Sequence, residues 1–239
     1  MKYMKKMILI FFPLLTVFFS CSARIEGVVR EGGAADLTIE TALEPRTTTL
    51  IRSLRSFMGA SAEAPILDGA AIGRSLAAAP GIRSVALENT GPSSLNGSIS
   101  ISNVGDFLAA GDGKSRFVTY TEGRRPGTSS VVITLNRDSA PLLIARLSPE
   151  ATQYLSALMA PAVLGEPSTR QEYLALVTMV YGRPLSDEIA AARIRAFIEF
   201  PRPVTSVRGG NALGKRAEFD IPLADLLVLE TPLQYEIVW

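Results

Sequence analysis

Residues 168–182 read STRQEYLALVTMVYG, and they decide the fold class because they carry a complete set of helix signals. The first four residues form a capping-box pattern, in which a hydroxyl and a side-chain amide satisfy the free N–H groups that open a helix. Apolar residues then recur at helical spacing, and Gly182 is a typical helix end. We predict a helix whose apolar face consists of Tyr173, Leu174, Leu176, Val177, Val180 and Tyr181.

Two further helices are predicted beside this one. Ser148-Pro149-Glu150 is a helix start, and Pro161 predicts a kink or an early end of that first helix. Ser186-Asp187-Glu188 is interpreted as the start of the third helix, with its acids as first-turn charges, and that helix is expected to run to about Arg195. The helical layer therefore covers about residues 148–195. The apolar stripe of its first helix is Ala151, Tyr154, Leu155, Leu158, Met159, Ala162 and Val163.

Strand patterns of period two lie on both sides of the helical layer. Before it, we predict a hairpin over 24–43, two short helices from 45 and from 68, and an antiparallel meander over 82–135. After it, Pro201 and Pro203 interrupt an extended segment and predict an edge strand or a bulge. The sequence thus predicts an α+β fold: one or more antiparallel sheets packed against two to three helices.

The N-terminus has the pattern of a signal peptide. Lys2, Lys5 and Lys6 form a positive head, and Met7 to Phe19 is an uncharged run of thirteen residues. A membrane-spanning helix needs about 20 apolar residues, so this run is too short to cross a bilayer. We therefore predict that residues 1–20 are a signal peptide.

Cys21, the only cysteine, follows that run directly in VFFSCS, residues 17–22. This stretch resembles the relaxed, spirochaete-like lipobox of bacterial lipoproteins, whose cysteine receives a diacylglyceryl group and acyl chains such as palmitate. The resemblance implies a lipidated N-terminus and short tether over 21–24, a single domain over 25–239, and a membrane anchor on the periplasmic side or at the cell surface. Acylation would also consume an otherwise unpaired thiol. Ordinary cleavage after Ser22 and an uncleaved anchor are the alternatives.

Composition excludes several function classes. The chain has no histidine, which removes the commonest general base, the commonest metal ligand and any Ser-His or Cys-His pair. Loss of residues 1–20 lowers the basic count from 24 to 21, against 23 acids, so nothing electrostatic favours nucleic acid. We expect a protein that is not an enzyme and has no cofactor, no metal and no nucleic-acid partner.

Six apolar and aromatic residues of the first two helices form the candidate ligand site: Tyr154, Leu158, Met159, Tyr173, Val177 and Tyr181. One interpretation is plain core packing of two helices on a sheet. The other is that adaptable Met and amphipathic Tyr side chains line a cavity for an apolar ligand. The sequence leaves both interpretations open.

The last 44 residues, AFIEFPRPVTSVRGGNALGKRAEFDIPLADLLVLETPLQYEIVW, resemble the closing segment of LppM-like bacterial lipoproteins. The shared pattern is a strand ending in proline, a Gly/Asn turn, another strand, and a final aromatic strand. This resemblance implies an envelope-anchored α+β domain that binds lipids. Members often add a C-terminal transmembrane helix, and none is expected here.

The leading functional prediction is a membrane-anchored, non-catalytic binding module for a lipid or another apolar envelope component. The alternative is a structural or assembly factor that docks an envelope protein through its helical layer. A binding module should enclose an apolar pocket, whereas a docking factor should present a flat, exposed apolar patch.

Overall fold

The computed structural model describes residues 21–57, 65–109, 118–125, 128–140 and 154–239. The predicted signal peptide and the helix start at Ser148 lie outside these residues. The strands are β1 (Cys21–Val29), β2 (Ala35–Leu43), β3 (Ile82–Gly91), β4 (Ser94–Ile101), β5 (Val118–Thr121), β6 (Ser130–Leu135), β7 (Arg193–Glu199), β8 (Ser206–Arg208), β9 (Asn211–Leu213), β10 (Arg216–Pro222) and β11 (Leu233–Val238). The helices are α1 (Pro45–Phe57), α2 (Gly69–Ala77), α3 (Val104–Ala109), α4 (Pro161–Leu164), α5 (Arg170–Tyr181), α6 (Arg183–Ala191) and α7 (Leu223–Val228).

The strands form two sheets. The larger sheet has seven strands in the order β3-β4-β2-β1-β7-β10-β9, and the smaller has four in the order β5-β6-β11-β8. Strands β1 and β2 form the predicted opening hairpin, and Ile25 lies opposite Ile39. All pairs are antiparallel except β1 with β7, which run parallel with Ala23 opposite Ile194. The predicted α+β class, with sheets packed against a helical layer, is confirmed.

The predicted meander over 82–135 is divided between the two sheets. Strands β3 and β4 pair with each other at one edge of the larger sheet. After α3 the chain enters the smaller sheet, where β5 and β6 form a second hairpin. Each hairpin is therefore correct, but they do not form one continuous meander.

The predicted bounds of the third helix are wrong, and the predicted edge strand is correct only at the end of its segment. The third helix begins at Arg183 and ends at Ala191, because Gly182 ends α5 with φ of 89° and Pro184 occupies the first turn of α6. Arg193 and Arg195 belong to β7, which is an interior strand of the larger sheet. The end of the predicted extended segment forms β8, which is an edge strand of the smaller sheet. Because Pro201 and Pro203 come after β7, they do not interrupt it, and its backbone N–H groups can pair with a neighbouring strand on each side.

The seven-stranded sheet has one covered face and one open face. On the covered face, side chains from β1, β2, β4 and β7 pack into two clusters with the helices, and the buried strand residues include Ala23, Ile39, Leu43, Leu95, Ile99 and Ile194. The intervening residues of the same strands point to the open face and are mainly polar and exposed. This alternation is what a sheet buried on one side requires.

The smaller sheet packs on the covered face at its other end. Trp239 is 3 % exposed and joins a cluster with Phe200, Ala217 and Ile237. The Trp239 and Phe200 ring centroids are 4.6 Å apart. Trp239 also exchanges backbone hydrogen bonds with Ser129, at 3.0 and 3.2 Å. The predicted docking of the last strand into a sheet is thus confirmed.

Candidate functional site

The structure brings the predicted ligand-site residues together under the helical layer. Tyr173 and Val177 lie one turn apart on α5, while Tyr154 and Leu158 come from the segment before α4, where 154–157 is helical. These four side chains are buried in one cluster, and Tyr181 packs against it partly buried. Core packing alone would bury these apolar side chains, so their burial does not indicate a ligand. The polar atoms in the cluster are what can distinguish a ligand site from a packed core.

The hydroxyl of Tyr173 is the unusual polar atom. The side chain is 0 % exposed, and its hydroxyl oxygen has no hydrogen-bond partner in the described part of the chain. Burial, and after it the nearby Tyr181, raises the pKa of Tyr173 well above the ordinary 10.0. An unpaired buried hydroxyl costs about 1–3 kcal/mol, so most buried tyrosine hydroxyls have a partner.

Tyr181 shows the usual behaviour at the other end of α5. Its hydroxyl donates a hydrogen bond to the carbonyl oxygen of Ala157, so it connects the end of α5 to the helical turn at 154–157. Partial burial raises the pKa of Tyr181. Of the two tyrosines that α5 contributes to the candidate site, one is therefore paired and the other is not.

Met159 occupies the break between the 154–157 turn and α4. Its φ is 51°, one of two positive values among the described non-glycine residues. A left-handed conformation costs roughly 1–2 kcal/mol for an ordinary residue. Pro161 then starts α4, with Ala160 as its N-cap. The predicted early end at Pro161 is confirmed, and it leaves a strained backbone beside the candidate site.

Helix α5 is fixed firmly at its N-terminus. The cap is Thr169, one residue later than predicted: Glu172 N–H donates to the Thr169 hydroxyl at 3.1 Å, and Thr169 N–H donates to the Glu172 carboxylate at 2.8 Å. Arg170 forms an ion pair with Asp225 of α7 at 3.2 Å. The start of α5 is therefore held by several polar contacts.

The outer surface of the helical layer includes exposed apolar side chains. Met179 and Val180, near the end of α5, are 76 % and 50 % exposed, and Leu164 of α4 is 47 % exposed. No charged residue lies between Tyr173 and Gly182. Single exposed apolar residues are common, but two consecutive ones in the uncharged C-terminal part of α5 form a small surface suited to a partner.

Cys21 is already part of the sheet. Strand β1 begins at Cys21, which lies opposite Leu43 of β2. Residues 21–24, assigned from the sequence to a tether, are therefore strand residues. A lipid attached at Cys21 would be connected directly to an interior strand, without an intervening linker.

Glu188 has a role that sequence analysis missed. It lies in the last turn of α6, and its two carboxylate oxygens accept hydrogen bonds from the backbone N–H groups of Arg46 and Thr47 at 2.9 and 3.0 Å. It thus caps α1 from another helix. Asp187 instead faces solvent and approaches Arg183 at 3.7 Å. The interpretation of both acids as first-turn charges is wrong, because α6 starts earlier than predicted.

The described residues include neither a metal-ion cluster nor a membrane-spanning helix. No three His, Cys, Asp or Glu side chains come close enough together there to hold a metal ion. No helix in those parts of the chain combines the length and the apolar character needed to cross a membrane.

Comparison with solved structures shows a distant resemblance to a lipoprotein domain. No protein-family model and no curated protein sequence matches the chain. The NMR structure of the folded domain of LppM from Mycobacterium tuberculosis superposes with a TM-score of 0.40 and 10 % sequence identity, covering 92 % of this chain and 89 % of that domain. This is a distant resemblance to a lipoprotein domain, and no residue role is transferred from it.

Proposed function

We propose that this protein is a membrane-anchored lipoprotein of the bacterial cell envelope whose domain is a non-catalytic binding module for a lipid or another apolar component. The ligand would bind under the helical layer, between α5 and residues 154–164. The absence of histidine from the sequence supports a role without catalysis.

The observation that carries the proposal is the unpaired hydroxyl of Tyr173. It lies within an apolar cluster formed by most of the predicted ligand-site residues. A lipid ester carbonyl or hydroxyl would supply the missing hydrogen bond, while its acyl chain would contact the surrounding apolar side chains. The strained Met159 at the break before α4 is where the layer would open to admit it.

The direct test is the lipid content of Tyr173→Phe. The protein is purified from the membranes of a bacterial host, and non-covalently bound lipid is extracted and counted per molecule by mass spectrometry. We expect Tyr173→Phe to lose at least nine tenths of this lipid. Its free energy of unfolding should stay equal or rise by about 1 kcal/mol, because the variant removes a buried hydroxyl that has no partner.

The matched control is Tyr235→Phe, the same chemical change on β11, where the tyrosine ring packs edge-on against Phe219 at 5.9 Å. This variant should retain the wild-type lipid content. Equal lipid content in all three proteins, or no bound lipid in the wild type, would contradict the proposed ligand site.

The anchor requires its own test. Lipidation at Cys21 predicts an intact mass for a chain that begins at Cys21 with added acyl groups, and loss of that species in Cys21→Ala. The position of Cys21 at the start of β1 would then hold the domain against the membrane surface. A chain beginning at Ala23 without added mass would instead identify a soluble exported protein.

The second candidate function is docking of an envelope protein through the helical layer. The exposed side chains of Met179 and Val180 favour it. If docking is the function, Met179→Ser with Val180→Ser should abolish capture of the partner and leave the lipid content unchanged. Lipid loss in Tyr173→Phe would distinguish the two candidates.

A further inference from the structure

The open face of the seven-stranded sheet carries a trough that runs across its strands. The strand register aligns side chains in rows, and one row consists of small residues: Ala86 on β3, Ser98 on β4 and Thr38 on β2. The neighbouring row toward one side has the longer Glu88, Asn96 and Glu40. The small row is therefore a floor, and the long side chains form a wall.

On the other side the wall is formed by Asp36 on β2, which lies opposite the small Ser100 of β4. Asp36 is held in place because Ser100 donates a hydrogen bond to it at 2.8 Å and Arg30 forms an ion pair with it at 2.7 Å. Two depressions of about 390 and 490 Å³ lie between the floor and the two walls, and both include Thr38 and Ser98. Each volume is in the range of small-ligand sites, about 300–1,000 Å³.

The trough is closed by an aromatic ring at β7. Glu26 of β1 follows Thr38 in the floor row and is ion-paired with Arg24. Phe197 of β7 comes next and lines the first depression, and the guanidinium carbons of Arg24 and Arg216 lie 4.7 and 5.0 Å from its ring centroid. From β3 to β7 the trough spans four strand spacings, which at about 4.8 Å each gives about 19 Å. A linear ligand of several units therefore fits along it.

The polar groups of the trough define the chemistry of its occupant. The hydroxyls of Thr38 and Ser98 are exposed, and Glu40 and Glu88 form no ion pair in the described part of the chain. These side chains offer mainly hydrogen-bond acceptors. These free carboxylates, with Glu26, Asp36 and Glu199 of the same lining, disfavour a polyanion, while Val28 and Phe197 supply an apolar part at one end. A ligand that brings many hydroxyl donors is complementary to such a surface.

We propose that this trough is a binding site for a saccharide chain, separate from the apolar site under the helical layer. Sugar hydroxyls donate to Glu40, Glu88 and the floor hydroxyls, while the Arg24 and Arg216 guanidinium groups donate to sugar oxygens at the Phe197 end. The domain would thereby contact a glycan of the envelope on one side of the sheet and an apolar ligand on the other.

Two soluble hexasaccharides test the proposal, one of β-1,4-linked N-acetylglucosamine and one of α-1,4-linked glucose. Calorimetric titration into the protein purified from membranes should show binding of at least one of them. Ser98→Tyr, which fills the trough floor, should weaken that binding at least tenfold. Thr38→Val removes one floor hydroxyl at nearly constant volume and should weaken it at least threefold.

The matched control is Thr119→Tyr, at an exposed position of β5 in the smaller sheet, and it should bind as the wild type does. Tyr173→Phe should also bind the saccharide normally, which separates this test from that of the lipid site. Absence of binding by both hexasaccharides, or equal losses in Ser98→Tyr and Thr119→Tyr, would overturn the proposal. Binding of anionic vesicles that Ser98→Tyr abolishes would assign the trough to a lipid surface and overturn it equally.

Discussion

The two faces of the seven-stranded sheet are built from the same strands, but one face is buried and apolar and the other is exposed and mainly polar. Along β4, Leu95, Ile99 and Ile101 are buried against helices, while Asn96 and Ser98 between them are exposed. The covered face holds the apolar contacts that stabilise the fold. The open face contributes little burial, so its residues are free to serve recognition. Stability and surface chemistry can therefore be changed independently at positions one residue apart.

The largest expected contrast lies between two adjacent residues of β4. Leu95→Ala should lower the free energy of unfolding by about 2–5 kcal/mol, because it leaves a cavity in the main core cluster. Asn96→Ala, on the open face, should change it by no more than about 0.5 kcal/mol. Urea unfolding followed by circular dichroism measures both. Similar losses in the two variants would show that the open face is also packed.

A smaller contrast is expected between two adjacent acids of α6. Glu188→Ala should cost about 1–2 kcal/mol, because it leaves the N–H groups of Arg46 and Thr47 without their cap. Asp187→Ala should change the free energy of unfolding by no more than about 0.5 kcal/mol, because its side chain is 69 % exposed. The midpoints of urea unfolding provide the comparison. If Glu188→Ala is as mild as Asp187→Ala, the contact between α6 and α1 does not stabilise the helical layer.

The smallest expected effects are changes in stability that depend on pH. One involves a carboxylate on the covered side of the sheet, and the other involves a carboxylate on the open face. Hydrogen bonds from Thr169 hold the pKa of Glu172 below its ordinary 4.5, and hydrogen bonds from Arg30 and Ser100 hold the pKa of Asp36 below 3.8. A lowered folded-state pKa adds stability above the unfolded-state pKa, and that stability disappears as the pH falls through the folded-state value.

Glu172→Gln and Asp36→Asn should therefore each be slightly less stable than the wild type at pH 7. The differences should disappear as the pH is lowered toward 2. Thermal unfolding at a series of pH values gives the measurement. A difference that persists unchanged at low pH would mean that the charge of the carboxylate is not what stabilises its hydrogen bonds.

Local signals in the sequence predicted most elements of the fold. Alternating residues predicted the opening hairpin and the last strand, Gly182 marked the end of α5, and Pro161 marked the break before α4. The cap of α5 was displaced by one residue, because Ser168-Gln171 and Thr169-Glu172 both fit the capping-box pattern and only the second is formed.

Long-range contacts were the part that local signals could not supply. The parallel pairing of β7 with β1 joins residues about 170 positions apart, as with Ala23 and Ile194, and nothing in either segment identifies its partner. For the same reason, Glu188 could not be recognised as a cap for α1. The six ligand-site residues were named from the apolar pattern, but the missing partner of the Tyr173 hydroxyl is a property of the packed core alone.

The apolar ligand site can be tested directly by an NMR titration of the isotope-labelled protein with the short-chain lipid dihexanoylphosphatidylcholine. If the apolar ligand binds under the helical layer, the largest chemical-shift changes will occur at Tyr173, Val177 and Leu158. The chemical shifts of the open-face residues Thr38 and Ser98 will stay unchanged. Changes confined to the exposed Met179 and Val180, or no changes at all below the critical micelle concentration, would show that no apolar ligand binds under the helical layer.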